Sequence, residues 1–157
     1  MGLDTNANTG RSRRYLDRAH SYERAAAALA ADEIRQDLRH PYFMLVAHGA
    51  ELALKAVIAG GDVDDEQLMI VGHDLKLCLR LAVHGGLDLD GRGEIEEIVS
   101  KLAMPHLAQA LRYPAYLAWP LPEPGQALQA LEALLKRVEE RLELPGRKRP
   151  GGEHPPR

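Results

Sequence analysis

The sequence has one cysteine, few aromatic residues and no strong charge of either sign. A single cysteine, Cys78, rules out an internal disulfide, and we expect a core thiol in a reducing, cytoplasmic compartment. Aromatic residues make up only 4% of the chain, and its apolar residues are mostly Leu and Ala, a composition that favours helices over sheets. No segment reaches the roughly 18 apolar residues of a membrane span, so we expect no contact with a membrane.

Length and charge restrict the class of protein further. A chain of 157 residues is long enough to form one domain with its own core, without a disulfide or a metal to hold it together. The net charge of -3 gives no global attraction to nucleic acid, so any such contact has to come from a local patch.

The apolar pattern predicts one all-α domain with irregular ends. We expect an unstructured arm over residues 1–11, the helical domain over 12–144 and a disordered Pro/Gly/basic tail over 145–157. Helices are predicted at 12–37, 41–59, 73–83, 93–104 and 126–144.

Prolines and one apolar stripe predict how the second half of the chain is organised. Pro105 either kinks the fourth helix or restarts it. Four prolines within residues 113–125 predict a long loop, which Tyr116 and Trp119 can hold in place. The last helix has apolar residues at alternating spacings of three and four, which fits packing within its own domain or against a second chain.

The segment 41–59 is apolar on nearly every side and predicts a central helix. His48, Glu51 and Lys55 lie three and four residues apart and form one line along it. Glu51 precedes Lys55 by four residues, the favourable order for an ion pair. The line is either the one solvated stripe of the helix, an ion pair that fixes its register, or the wall of a polar pocket.

Three stretches of sequence carry a resemblance to a known family. They are FMLVAHGAELALKAVI at 43–58, GHDLKLCLRLA at 72–82 and LRYP at 111–114. Together they resemble the HEPN superfamily over about residues 14–144. The resemblance implies an up-and-down bundle of four to five helices, commonly a homodimer. It also implies binding of a nucleotide, RNA or a cognate toxin or antitoxin protein, in toxin–antitoxin or defence systems.

The resemblance further implies that polar residues from distant parts of the chain converge at one ligand-binding site. With the line on the central helix, the candidates are His48, Glu51, Lys55, His73, Asp74, Arg112 and Tyr113. Asp74 or His73 also stands where a helix entrance needs a side-chain acceptor. Arg112 either caps helix-end carbonyls or contacts an anion.

Catalytic members of this superfamily are similar to metal-independent ribonucleases that use an Arg and a His four to six residues apart. Arg35 and His40 have this spacing, as do Arg14 and His20. Such spacings also arise by chance, and both pairs lie earlier in the chain than the family's motif. We therefore expect a binding module that is non-catalytic or weakly catalytic. The alternatives are a ribonuclease using Arg35 and His40 and a structural dimerisation module.

Metal and cofactor motifs are missing from the sequence. The seven histidines are scattered, and they form neither a His-Glu-x-x-His motif nor the paired Glu-x-x-His of carboxylate-bridged bundles. The Gly-Gly pairs are better explained as helix stops than as phosphate-cradling loops. The sequence therefore predicts no metal site and no cofactor.

Overall fold

The computed structural model describes residues 5–114 and 118–143, and every regular element in these ranges is helical. The six α-helices are α1 (Thr5–Leu29), α2 (Arg39–Ala59), α3 (Asp65–Val71), α4 (Leu75–His84), α5 (Gly93–Leu107) and α6 (Pro124–Glu143), with a short 3-10 turn (Gln36–Leu38) before α2. The all-α prediction is confirmed. The predicted tail at 145–157, residues 1–4 of the predicted arm and Tyr116 lie outside the described residues.

Helix α2 is the centre of the bundle, as predicted, and it contacts the other five helices. From Val46 to Ala59 every residue is buried except His48. The segment Gln36–Ala59 is long and apolar enough to cross a membrane, and its most apolar window has a mean hydropathy of 1.4, although the sequence was expected to contain no such segment. Because 83% of its most apolar window is buried inside the protein, it is the core helix expected of a soluble protein.

Helix α1 begins at Thr5, within the arm that was predicted to be unstructured. Tertiary contacts explain the difference, because the end of α2 receives hydrogen bonds from this first part of the helix. Arg11 donates to the Ala59 carbonyl at 3.1 Å and pairs with Asp65 at 3.2 Å, and Asn8 donates to the Gly61 carbonyl at 3.1 Å. No periodicity within residues 1–11 could reveal partners about 50 positions away.

The other end of α1 lies at Leu29, earlier than the predicted boundary at residue 37. Asp32 and Glu33 follow this end, and carboxylates are unfavourable beside the negative end of a helix dipole. The chain then turns through Gln36–Leu38 into α2.

Helix α3 lies between the predicted helices at 41–59 and 73–83, in a stretch where no helix was predicted. Its N-terminus is closed by a capping box, in which the Asp64 side chain accepts from the Gln67 amide and the Gln67 side chain accepts from the Asp64 amide.

Helix α5 continues through Pro105 to Leu107 instead of restarting there. The stripe on α6 is buried within this chain, at Leu131, Leu135 and Val138 among others.

Candidate functional site

Glu51 lies at the centre of a polar cluster inside the apolar bundle. Its carboxylate is 2% exposed, and Oε1 accepts a hydrogen bond from Lys55 Nζ at 2.7 Å. The other oxygen, Oε2, accepts from His73 Nδ1 at 2.9 Å and from His106 Nε2 at 2.6 Å. We call these four residues, together with His48, the Glu51 cluster.

Three separate parts of the chain build this cluster. Helix α2 supplies His48, Glu51 and Lys55 from a single face, as their spacing predicts. His73 lies in the short link between α3 and α4, after Gly72, whose positive φ of 57° turns the chain.

The last turn of α5 completes the cluster, and the cap of α4 fixes the end of the link that carries His73. Asp74 fixes the point at which α4 begins, because its side chain accepts from the Leu77 amide at 3.0 Å. His106 lies in the last turn of α5 and is buried with that helix's apolar face.

His48 is the most loosely attached member of the cluster. Its Nδ1 lies 3.7 Å from Glu51 Oε2, which is too far for a hydrogen bond. This nitrogen is buried and has no hydrogen-bond partner in the part of the chain that the structure describes. The ring packs edge-on against Tyr22, with 4.7 Å between the ring centroids. A buried nitrogen without a partner costs free energy, so it is a position where a ligand atom would be stabilising.

The surrounding donors keep Glu51 ionised. Burial alone raises the pKa of this carboxyl group, but the hydrogen bonds that it accepts, that of His106 foremost, lower the pKa by more, and the result lies well below the usual 4.5. A carboxylate only accepts hydrogen bonds, so His73 Nδ1 and His106 Nε2 both carry the proton that faces Oε2. The two histidines are thereby fixed in orientation around one oxygen atom.

The five members of the cluster differ in their exposure to solvent. The side chains of His106 and Glu51 are almost fully buried, at 1% and 2% exposure, and that of Lys55 is 10% exposed. The side chain of His73 is 35% exposed and that of His48 is 20% exposed. A ligand arriving from solvent would therefore meet the two outer histidines first.

Four of the seven predicted ligand-binding residues come together in this cluster, namely His48, Glu51, Lys55 and His73. Asp74 instead caps α4, as one of its two predicted roles requires. Arg112 and Tyr113 are exposed beyond the end of α5, and neither takes part in the hydrogen bonds that Glu51 accepts.

The two residues of the ribonuclease alternative, Arg35 and His40, lie outside the Glu51 cluster. Arg35 forms a bidentate pair with Asp37, at 3.1 and 3.0 Å, and both side chains are exposed. His40 is exposed in the first turn of α2. The arginine is thus engaged by a neighbouring carboxylate.

His106 was not among the residues predicted from the sequence. One signal was available, because Ile95, Ile98, Val99, Leu102 and His106 follow one another at helical spacing and share a face. A histidine on an apolar face needs a polar partner, but the sequence does not show that the partner is a carboxylate 55 residues earlier in the chain.

Four members of the Glu51 cluster form a group that could hold a metal ion, although no metal site was predicted from the sequence. One ligand atom from each of His48, Glu51, His73 and His106 lies within 4.8 Å of all the others. Cys78 is not among them. Burial raises the pKa of its thiol to about 12, so it remains protonated at neutral pH, in keeping with a core residue.

The chain matches no family model, no curated protein and no solved structure.

Proposed function

We propose that this protein is a HEPN-like helical module that binds a phosphate-bearing ligand, a nucleotide or a short stretch of RNA, without cleaving it. The observation that carries the proposal is the Glu51 cluster, in which the side chains of Lys55 and three histidines surround one carboxylate. One of these histidines, His73, is partly exposed.

The charge of the cluster supports an anionic ligand. The carboxylate of Glu51 and the ammonium group of Lys55 cancel, and they are in direct contact at 2.7 Å. The three histidines add no charge when neutral, and each adds one positive charge when protonated. The cluster is therefore neutral or cationic but not anionic, although the whole chain has a net charge of -3.

His73 is the residue that we expect to contact the ligand. It is the most exposed member of the cluster, and Glu51 fixes its ring through Nδ1. In its imidazolium form the fixed ring donates its second N–H, at Nε2, to a phosphate oxygen at little cost in side-chain entropy. A setting in toxin–antitoxin or defence systems, with a cognate protein partner and a homodimeric state, is part of the proposal on the resemblance alone.

Binding is tested by fluorescence anisotropy with a short labelled RNA and a labelled adenine nucleotide. The titrations use low and moderate salt and contain EDTA. The variant is His73→Asn, and the matched control is His84→Asn, because His84 is exposed at the end of α4 and outside the cluster.

We expect the wild type and His84→Asn to bind at least one probe with an affinity that falls with salt. The affinity of His73→Asn should be reduced about tenfold to a hundredfold, which corresponds to the loss of one hydrogen bond to a charged group. Absence of binding by the wild type at low salt, or equal affinities for the two variants, would contradict the proposal.

The same samples test the absence of cleavage. We expect the RNA to stay intact after long incubation with the protein in EDTA. Cleavage that persists in EDTA and is lost in His40→Ala would instead support the ribonuclease alternative.

A further inference from the structure

We infer that His48, Glu51, His73 and His106 form a binding site for a divalent transition-metal ion of the zinc class. This inference goes beyond the phosphate-binding proposal and does not depend on it. It stands on the types of ligand, their mutual distances, a buried nitrogen without a partner, and the position of Lys55.

The ligand types select the class of metal. Three imidazole rings and one carboxylate suit zinc, copper, nickel or iron, whereas calcium and magnesium prefer sites made mainly of oxygen ligands. Four protein ligands form the closed tetrahedral set of a structural zinc site. We expect zinc to bind and magnesium not to bind.

The distances are close to those that such an ion needs. An ion with bonds of about 2.0–2.2 Å in tetrahedral geometry keeps its ligand atoms about 3.3–3.6 Å apart. Around Glu51 Oε2 the ring nitrogens of His106, His73 and His48 now lie at 2.6, 2.9 and 3.7 Å. Insertion of an ion therefore requires the contact of Oε2 with His106 to lengthen by about 0.7–1.0 Å and that with His73 by about 0.4–0.7 Å, on the scale set by the same bond lengths. His73 is partly exposed and has room for part of this movement.

His48 Nδ1 gives an independent reason to place an ion here. This atom is buried, faces Glu51 Oε2 and makes no hydrogen bond within the described residues. His106 and His73 have hydrogen bonds to Oε2 that compensate their burial, but His48 has none. A metal ion in the centre of the cluster would bind one ring nitrogen of each of the three histidines at once. His73 Nδ1 and His106 Nε2 would release their protons to solvent, and the rings would bind as neutral imidazoles.

Lys55 orients the carboxylate ligand without being a metal ligand itself. It donates to Oε1 of Glu51 and so holds the carboxylate with Oε2 towards the three histidines. Hydrogen bonds of this kind orient metal ligands in known sites. Its positive charge opposes that of the ion, and the negative charge of Glu51 lies between the two.

Binding of an ion would connect three parts of the fold. The ligands come from α2, from the link before α4 and from the last turn of α5. These parts are distant in the unfolded chain, so the ion binds the folded protein preferentially and stabilises it.

Zinc binding is tested on the full chain without an added histidine tag, after removal of metal by chelator. We expect calorimetric titration to give one zinc ion per chain, and cobalt(II) to give the intense visible absorption of a tetrahedral complex. A hundredfold excess of zinc over Kd should raise Tm by about 5–10 °C, and magnesium should leave Tm unchanged.

The variants are His48→Asn and His73→Asn, with His84→Asn as the exposed control. Removal of either ligand should weaken zinc binding about tenfold or more, while the control should bind as the wild type does. Both outer ligands are partly exposed, so the variants should fold, and circular dichroism verifies this.

Two outcomes would overturn the inference. One is the absence of stoichiometric zinc binding by the wild type, and the other is equal affinity in the wild type, His48→Asn and His73→Asn, which indicates adventitious surface binding. Tetrahedral cobalt absorption of the wild type decides the matter even where a variant does not fold. Because the RNA titrations contain EDTA, a failure of phosphate binding and a failure of zinc binding are separate results.

Discussion

Replacing Glu51 by Gln removes the negative charge from the centre of the bundle and retains the shape of the side chain. The carboxylate that is lost accepts hydrogen bonds from Lys55, His73 and His106. In Glu51→Gln the ammonium group of Lys55, a residue only 8% exposed, has no counter-charge. The amide nitrogen of the new side chain is also a donor and faces other donors.

The size of the effect follows from the burial of this ion pair. Breaking a buried pair by removal of one partner costs about 3–5 kcal/mol, because an uncompensated charge is left in the interior. This is a large part of the roughly 5–15 kcal/mol by which a domain is stable. Replacement of both partners, in the double variant Glu51→Gln and Lys55→Met, removes the buried charge as well. It should regain at least half of the loss.

The chain offers a matched surface pair as control. Glu97 and Lys101 have the same spacing of four residues and are 2.6 Å apart, but their side chains are 61% and 44% exposed. Glu97→Gln should cost only about 0.3–0.5 kcal/mol. The assay is urea unfolding followed by circular dichroism, with EDTA present so that bound metal makes no contribution. If Glu51→Gln and Glu97→Gln cost the same, the buried carboxylate of Glu51 does not stabilise the fold more than a surface ion pair does.

Two further predictions concern pH. Because the pKa of Glu51 is lowered on folding, its ionised form stabilises the protein fully above pH 4.5, and this contribution is lost as the pH falls below 4.5. Urea unfolding between about pH 3 and pH 7 should therefore show a steeper loss of stability in the wild type than in Glu51→Gln, and parallel curves would contradict this. Tyr42 donates to the Pro124 carbonyl at 2.6 Å, and burial, with Glu123 next in importance, raises its pKa to about 12. Tyr42→Phe should cost about 1 kcal/mol at neutral pH. The stabilisation that the neutral phenol gives the wild type is lost as the pH rises from 10 towards 12, so Tm should fall more steeply there in the wild type than in the variant, and equal slopes would exclude a role for this hydroxyl.

The sequence located part of the candidate site for a definite reason. Residues that share a helix face are fixed by the 3.6-residue period, so the line of His48, Glu51 and Lys55 on the central helix was predictable. His73 was found through the family resemblance. His106 was not found, because its position on an apolar helix face indicates only that it needs a polar partner, and not that the partner is Glu51.

Some helix boundaries could likewise be predicted from the sequence, and others could not. Gly60 and Asp74 mark the end of α2 and the start of α4, because glycine stops a helix and an aspartate side chain caps one. The early start of α1 depends instead on the contacts of Arg11 with the end of α2 and with Asp65. Such contacts join residues about 50 positions apart and leave no local pattern.

The sequence by itself determined the helical class, the central position of α2 and the order of the charged residues along it. These are properties of composition and period, which act within a few residues of the chain. Only the tertiary structure decided that three histidines meet one buried carboxylate and that Arg112 does not. The positions of side chains from α2, α5 and the α3–α4 link depend on how whole helices pack, and the free energy of that packing is a sum over the entire core.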